Sequence, residues 1–349
     1  MKTLQGLLGI ELPIIQAPMA GVQGSALAVA VANAGGLGSL PCAMLSPDAL
    51  RKELASVTSQ IGGQPLNVNF FCHTPPRPNP EREAAWRNLL APYYKELGID
   101  FSNIPAGPGR APFSHDMADV LAEFRPAVVS FHFGLPSADL LQRVRTWNAV
   151  VLSSATTVDE ARWLAAHGAD AIIAQGLEAG GHRGHFLSTD LTRQMGTFAL
   201  VPQIAREVNV PVIAAGGIAD SQGVAAAMAL GAAGVQVGTA YMLCPEATTS
   251  RIHRAAIKSD LARHTVLTNL FSGGVARGIL NRAMRELGPM SAIAPEFPMA
   301  GAAMAPLRAK AEAAGLGDFS PLWCGQNATG CVEMPAAELT KRLADQMLD

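Results

Sequence analysis

Short apolar runs alternate with longer amphipathic stretches from residue 13 to residue 242. The runs fall at 13–19 (PIIQAPM), 36–40 (GLGSL), 65–71 (PLNVNFF), 127–134 (AVVSFHFG), 149–154 (AVVLSS), 171–176 (AIIAQG), 211–217 (PVIAAGG) and 234–242 (GVQVGTAYM). An unbroken apolar run of this length suits a strand buried on both faces, and helices between such strands imply a parallel sheet. Parallel strands in this number, with a helix after each, predict a (β/α)8 TIM barrel. Helix punctuation agrees. Thr157 and Glu160 have capping-box spacing, and Gly168 stops the helix they open over 158–167. Asp220 or Ser221 opens a helix that stops at Gly231, and an alanine-rich helix over 24–34 stops at Gly35 and Gly36.

Two segments exceed a minimal barrel. Residues 72–126, after the third strand, are too long for one connection. Within them PPRPNP (75–80) predicts an exposed bend and 81–97 a helix. Residues 243–349 predict a mainly helical extension. The division expected is therefore a barrel over 1–242, including the 72–126 insertion, and a C-terminal region over 243–349 that covers the barrel mouth.

Composition narrows the class. At 49% hydrophobic and 15% charged residues the chain is no disordered protein. A formal charge of −2 gives no field that favours nucleic acid or an acidic membrane. The charge-free stretches 24–50 (to Asp48) and 221–245 are broken by glycine and by Asn33, Gln236 and Thr239, so neither predicts a membrane span. Glu11 and Pro13 interrupt the first apolar run, which argues against a signal peptide. Five cysteines without a CxxC pair suit a reducing, cytoplasmic compartment better than a disulfide framework or a zinc site. No metal site is expected.

A barrel of this kind carries its site at the C-terminal ends of the strands. Those ends hold Gly, Asn, Gln, Ser, Thr and His, and little formal charge, which suits a large planar polar ligand. Gly216-Gly217 ends the seventh run and Gln236-Val237-Gly238-Thr239 lies in the eighth. Glycine turns at adjacent strand ends, each before a helix, let backbone N–H groups approach a phosphate. After the sixth strand, Gln175 leads into a loop in which four glycines (Gly176, Gly180, Gly181, Gly184) surround His182. An imidazole in a glycine loop on a rigid scaffold fits a general base or hydrogen-bond donor. His132, between Phe131 and Phe133, is expected at the barrel mouth as a second catalytic candidate, and His185 in solvent. Cys42, Cys72 and Cys244 follow strand ends, but no flanking cation would make a thiolate of them. No GxGxxG follows a strand, so a Rossmann nicotinamide site is not expected.

IIQAPM (14–19), NVNFFCH (67–73), VVSFHFG (128–134) and AQGLEAGGHRG (174–184) resemble, in order, the motifs of the class I nitronate monooxygenases, formerly 2-nitropropane dioxygenases. The resemblance spans residues 9 to about 285 and is weaker beyond. It implies a non-covalent FMN and oxidation of alkyl nitronates by O2 to carbonyl compounds and nitrite. Carried over by motif, it implies FMN contacts at Ala17, Met19, Asn69, Gln175, Gly180 and Gly181, phosphate contacts at Gly216, Gly217, Gln236, Val237, Gly238 and Thr239, and an active-site histidine at His182. The partners implied are a small nitronate or nitroalkane and O2, with no nucleic acid and no membrane; a homodimer is compatible. One departure stands out. The family places tyrosines and a lysine over its site, whereas 294–308 (APEFPMAGAAMAPLR) has Phe297, Met299 and Arg308. Three other readings remain open: an FMN-dependent NAD(P)H reductase acting on a quinone or enoyl thioester, a non-flavin lyase or isomerase, and a non-catalytic flavin binder.

Overall fold

Eight parallel strands form the centre of the molecule: β1 Ile14–Gln16, β2 Gly38–Pro41, β3 Leu66–Phe71, β4 Val128–His132, β5 Val150–Ala155, β6 Ala171–Gln175, β7 Val212–Ala215 and β8 Gly234–Val237. They pair in the order β1-β8-β7-β6-β5-β4-β3-β2, and a parallel bridge between Ile15 and Leu37 joins the two ends of that order. The barrel expected from the apolar runs is thus the observed fold. This computed structural model describes residues 3–102, 104 and 110–347. The barrel floor is plugged by the short helix Leu4–Leu8, whose Leu4 and Leu8 pack with Ile15, Val128, Leu152, Ile173 and Ile213.

The helix ends follow their local chemistry. Asp220 Oδ1 accepts from Gly223 N at 2.8 Å and opens the helix Ser221–Ala229. Thr157 Oγ1 accepts from Glu160 N at 3.2 Å, half of the expected capping box. The other half is altered. The Glu160 carboxylate accepts from Thr156 N and Oγ1, and from Phe186 N and Leu187 N, so it ties the loop after β6 to the helix Val158–Ala166.

Residues beyond β8 do two jobs. The helix Ala336–Ala344 packs on the barrel wall beside the helices Ser25–Asn33 and Ser221–Ala229, where Leu339 and Leu343 share a core with Ile14, Leu27 and Val31. It takes the place of the barrel's eighth helix. The chain between contributes to a cover. There Trp86, Leu90 and Tyr94 of the helix Pro80–Glu96, from the insertion, share a core with Leu270, Met284, Met304, Leu307 and Phe319. The cover also holds a small antiparallel sheet with no counterpart in the sequence expectation: Thr265–Thr268 pairs with Ala276–Ile279, which pairs with Gly181–His182. Among the described residues no helix is long and apolar enough to cross a membrane.

Candidate active site

A cleft of about 1420 Å3, counted out to its mouth, lies between the C-terminal strand ends and the cover. Ala17, Met19, Asn69, His132, Gln175, Gly180, Gly181, His182, Gly216, Gly217, Gln236, Gly238 and Thr239 all line it. Val237 does not. Its side chain faces the outer core and its carbonyl accepts from Ala17 N at 2.8 Å, because strand alternation turns it away from its neighbour Gln236.

One end of the cleft is a bed of main-chain donors. Gly216 and Gly217 have φ of 117° and 76°, a left-handed course that turns the chain back over the strand ends. The N–H groups of Gly217, Ile218, Gly238 and Thr239 donate to no group among the described residues. The helix Ser221–Ala229 starts just beyond and adds its positive end. Residues 325–327 arrive from the cover and strap this bed: Gly325 N donates to Thr239 Oγ1 at 3.0 Å, Gln326 N to Glu178 O at 2.9 Å and Asn327 Nδ2 to Gly217 O at 3.0 Å. In the middle of the cleft Asn69 Nδ2 donates to Ser130 Oγ at 3.0 Å. The Gln236 Oε1 atom is buried with no partner among the described residues.

The other end is aromatic and carries the histidines. His182 is held from several sides. Its residue pairs with Ala276 in the small sheet, and its carbonyl accepts from Gln175 Nε2 at 2.9 Å and from His132 Nε2 at 3.2 Å. Gln175 Oε1 accepts from Gly184 N at 2.8 Å, so this amide braces the loop rather than reaching freely into the cleft. Arg183, wholly buried, forks onto the carbonyls of Gln175 and Gly176, at 2.7 Å each, and onto Gln194 Oε1 at 2.9 Å. Burial brings its pKa down to about 10, so it stays a cation.

The His182 ring sets Nε2 2.7 Å from Ser272 Oγ, which also accepts from Gly274 N at 3.3 Å and lies 3.4 Å from Gly274 O. The tautomer that satisfies all three contacts has the proton on Nε2, leaving Nδ1 as an acceptor. Burial, then the charges of Arg110, His132 and His73, hold the ring's pKa well below its usual 6.5, so it is neutral near pH 7. His132 was expected to be a second reacting group, but both its nitrogens are engaged. Nε2 donates to the His182 carbonyl, and Nδ1 accepts from Ser154 Oγ at 3.1 Å. Burial lowers its pKa to about 4.

Phe71, Phe133, Phe297 and Trp323 surround these rings. Phe133 has φ of 67°, and this left-handed residue turns its ring to the barrel mouth ahead of Gly134. Five residues in or beside the cleft differ from the sequence expectation. His73 packs against Phe297 with ring centroids 4.9 Å apart. Arg110 lines the cleft with its guanidinium 5.6 Å from the Phe297 centroid. Trp323 and Asn327 come from the WCGQN segment, where a glycine among polar residues was the only local signal. His185 is half-buried rather than solvated, with its pKa lowered by burial. Cys42 and Cys72 are pushed far up by burial, and Cys244 to about 12, so none is a thiolate. Among the described residues no cluster of His, Cys, Asp or Glu could hold a metal.

Comparison with known proteins follows the same lines. The family model described as nitronate monooxygenase matches residues 1–346. A nitronate monooxygenase of Pseudomonas aeruginosa is 43% identical over 98% of this chain and 97% of its own length. One of Paraburkholderia phytofirmans is 42% identical over 99% of this chain and 95% of its own. The crystal structure of a nitroalkane oxidase from Streptomyces ansochromogenes superposes with a TM-score of 0.89, at 36% identity, covering 99% of this chain and 98% of that one.

Proposed function

The chain belongs to the nitronate monooxygenase family of flavin-dependent oxidoreductases, and from that premise we propose that it binds FMN in the barrel cleft and oxidises alkyl nitronates with O2 to carbonyl compounds and nitrite. One observation carries the reading: a single cleft joins a bed of unpaired main-chain N–H groups to a neutral histidine in an aromatic mouth.

The residues present fit FMN. The N–H groups of Gly217, Ile218, Gly238 and Thr239 suit one terminal phosphate. The orphaned carbonyl of Gln236 suits an imide N–H of the flavin ring. Met19, Asn69, Gly180 and Gly181 line the span between these points. FMN, when bound, supplies electron transfer from the nitronate and reaction with O2. The chain's own part is binding, orientation and one proton. His182 Nδ1 takes the α-proton of a neutral nitroalkane, a step that a nitronate no longer needs. Ser272 fixes the ring that does this, and His132 is a positioning residue that holds the His182 backbone. Phe71, Phe133, Phe297 and Trp323 keep water from the reacting face. The buried, high-pKa thiols fit a reducing compartment, and we assign the enzyme to the cytoplasm.

The test is to mix the yellow protein with a small alkyl nitronate in air and follow O2 uptake and nitrite. Release of both products without NAD(P)H is expected. Rapid flavin bleaching by anaerobic NADH, with no nitrite from any nitronate, would install the reductase instead.

A further inference from the structure

Among the described residues the cleft wall holds one formally charged side chain, Arg110, and no carboxylate. Among the described residues its guanidinium makes no ion pair, and it packs 5.6 Å from the centre of the Phe297 ring. The same ring lies 5.2 Å from the His182 ring, so Phe297 is a shared wall between the cation and the histidine. The neighbouring cation, Arg308, is occupied: its Nε donates to Glu312 Oε1 at 2.8 Å. Arg110 is half-buried and stays protonated, since arginine keeps its charge throughout the working pH range. A partly desolvated cation with no ion-pair partner among the described residues, in a cleft whose described lining carries no acidic group, calls for an anion from outside.

We propose that Arg110 anchors the anionic group of the substrate, and so makes the enzyme select nitronates over neutral nitroalkanes. The inference rests on the reading above. The 72–126 insertion would thereby supply, from a different segment, the cation that 294–308 does not direct into the site. A nitronate carries its charge on two oxygens of one planar group, and the planar guanidinium fork matches such a pair. The cation–π contact with Phe297 holds the guanidinium on the side of that ring that His182 shares.

Nitrate is a planar inorganic anion of the same shape and serves as the probe. It is titrated into flavin-loaded wild type, Arg110→Met and Arg110→Lys, and binding is read from the shift of the flavin absorption band. Charged hydrogen bonds contribute about 1.5–3 kcal/mol, so Arg110→Met should weaken nitrate binding by about 10- to 150-fold. The same variant should raise KM for a nitronate by a similar factor and change KM for the neutral nitroalkane less than about threefold. Arg110→Lys should recover part of both losses. Unchanged nitrate affinity in a folded Arg110→Met protein would overturn the proposal. So would no nitrate binding to wild type, or release of flavin from both variants, which would make Arg110 a cofactor contact. If no nitronate yields nitrite with wild type, the functional reading fails, yet the nitrate affinities still decide whether Arg110 binds anions.

Discussion

Replacing Arg183 by Met should loosen the loop that carries His182. The methionine chain fills much of the space of the arginine stem, so the loss is mainly polar. Two acceptors, the carbonyl of Gln175 and the amide oxygen of Gln194, lose their donor, while the Gly176 carbonyl keeps Ala179 N at 3.1 Å. Each buried unsatisfied group costs about 1–3 kcal/mol, or about 4 kcal/mol for the two at mid-range. Part of this is offset, because the guanidinium itself is costly to bury. Its pKa falls from 12.5 to about 10, and each pKa unit corresponds to about 1.4 kcal/mol, so removing it returns about 3 kcal/mol. The net destabilisation is about 1 kcal/mol, or a fall in Tm of about 1–2 °C for a chain of 349 residues. Thermal unfolding followed by far-UV circular dichroism reads this directly. Turnover of a neutral nitroalkane should fall with it, because the His182 backbone is hung from the same strand end. Arg183→Lys keeps the charge but cannot fork, and should not rescue either property. Unchanged turnover in a folded Arg183→Met protein with no fall in Tm, or full rescue of turnover by lysine, would refute the clamp.

His182→Ala should slow a neutral nitroalkane by about 10²–10⁴ and the corresponding nitronate much less, with flavin still bound; equal losses on both would exclude the base role. Gly180→Ala would put a Cβ 2.6 Å from the backbone of Cys324 and Gly325, lifting the 325–327 strap, so flavin should dissociate more readily, read as fluorescence of free flavin after ultrafiltration. Acid should destabilise the fold through His253, which is 5% exposed and whose Nε2 donates to the Trp323 carbonyl at 2.9 Å. Burial lowers its pKa from 6.5 to about 4, so the unfolded chain takes up the proton first; this stability is complete above pH 6.5 and about 3 kcal/mol of it is lost by pH 4. His253→Gln keeps an N–H donor without titrating and should flatten the Tm profile over that window; an unchanged slope would count against the assignment.

The barrel was legible because each strand is buried on both faces and therefore apolar along its length, as in Ala171–Gln175 and Val212–Ala215. The glycine turns at Gly216-Gly217 and Gly238 were legible because a close main-chain approach leaves a compositional trace. What stayed hidden depends on distance along the chain. Gly181–His182 is too short to show a period, and it becomes a strand only because Ala276–Ile279 reaches it. Ala336–Ala344 looks like any amphipathic helix, and its role as a wall element is set by the Tyr241–Thr340 hydroxyl contact at 2.8 Å and by its apolar seam. Arg110 follows a Pro/Gly-rich stretch that has no periodicity to reveal its target. His132 illustrates the reverse case. Its place at the mouth was readable, but the occupation of both nitrogens depends on Ser154 and on a carbonyl from another strand.

The eighth wall helix also has a consequence for biosynthesis. About 100 residues separate β8 from Ala336–Ala344. At about 5–20 residues per second, a ribosome needs about 5–20 s to deliver that helix after the last strand. Through that interval the nascent barrel keeps an uncovered stripe over Ile14, Leu27 and Val31, residues with no exposure in the finished fold. The cover is synthesised inside the same interval, so flavin cleft and barrel wall are completed by one late stretch of chain. A stalled or prematurely terminated product would therefore present a hydrophobic seam, which is the kind of surface that chaperones and proteases recognise.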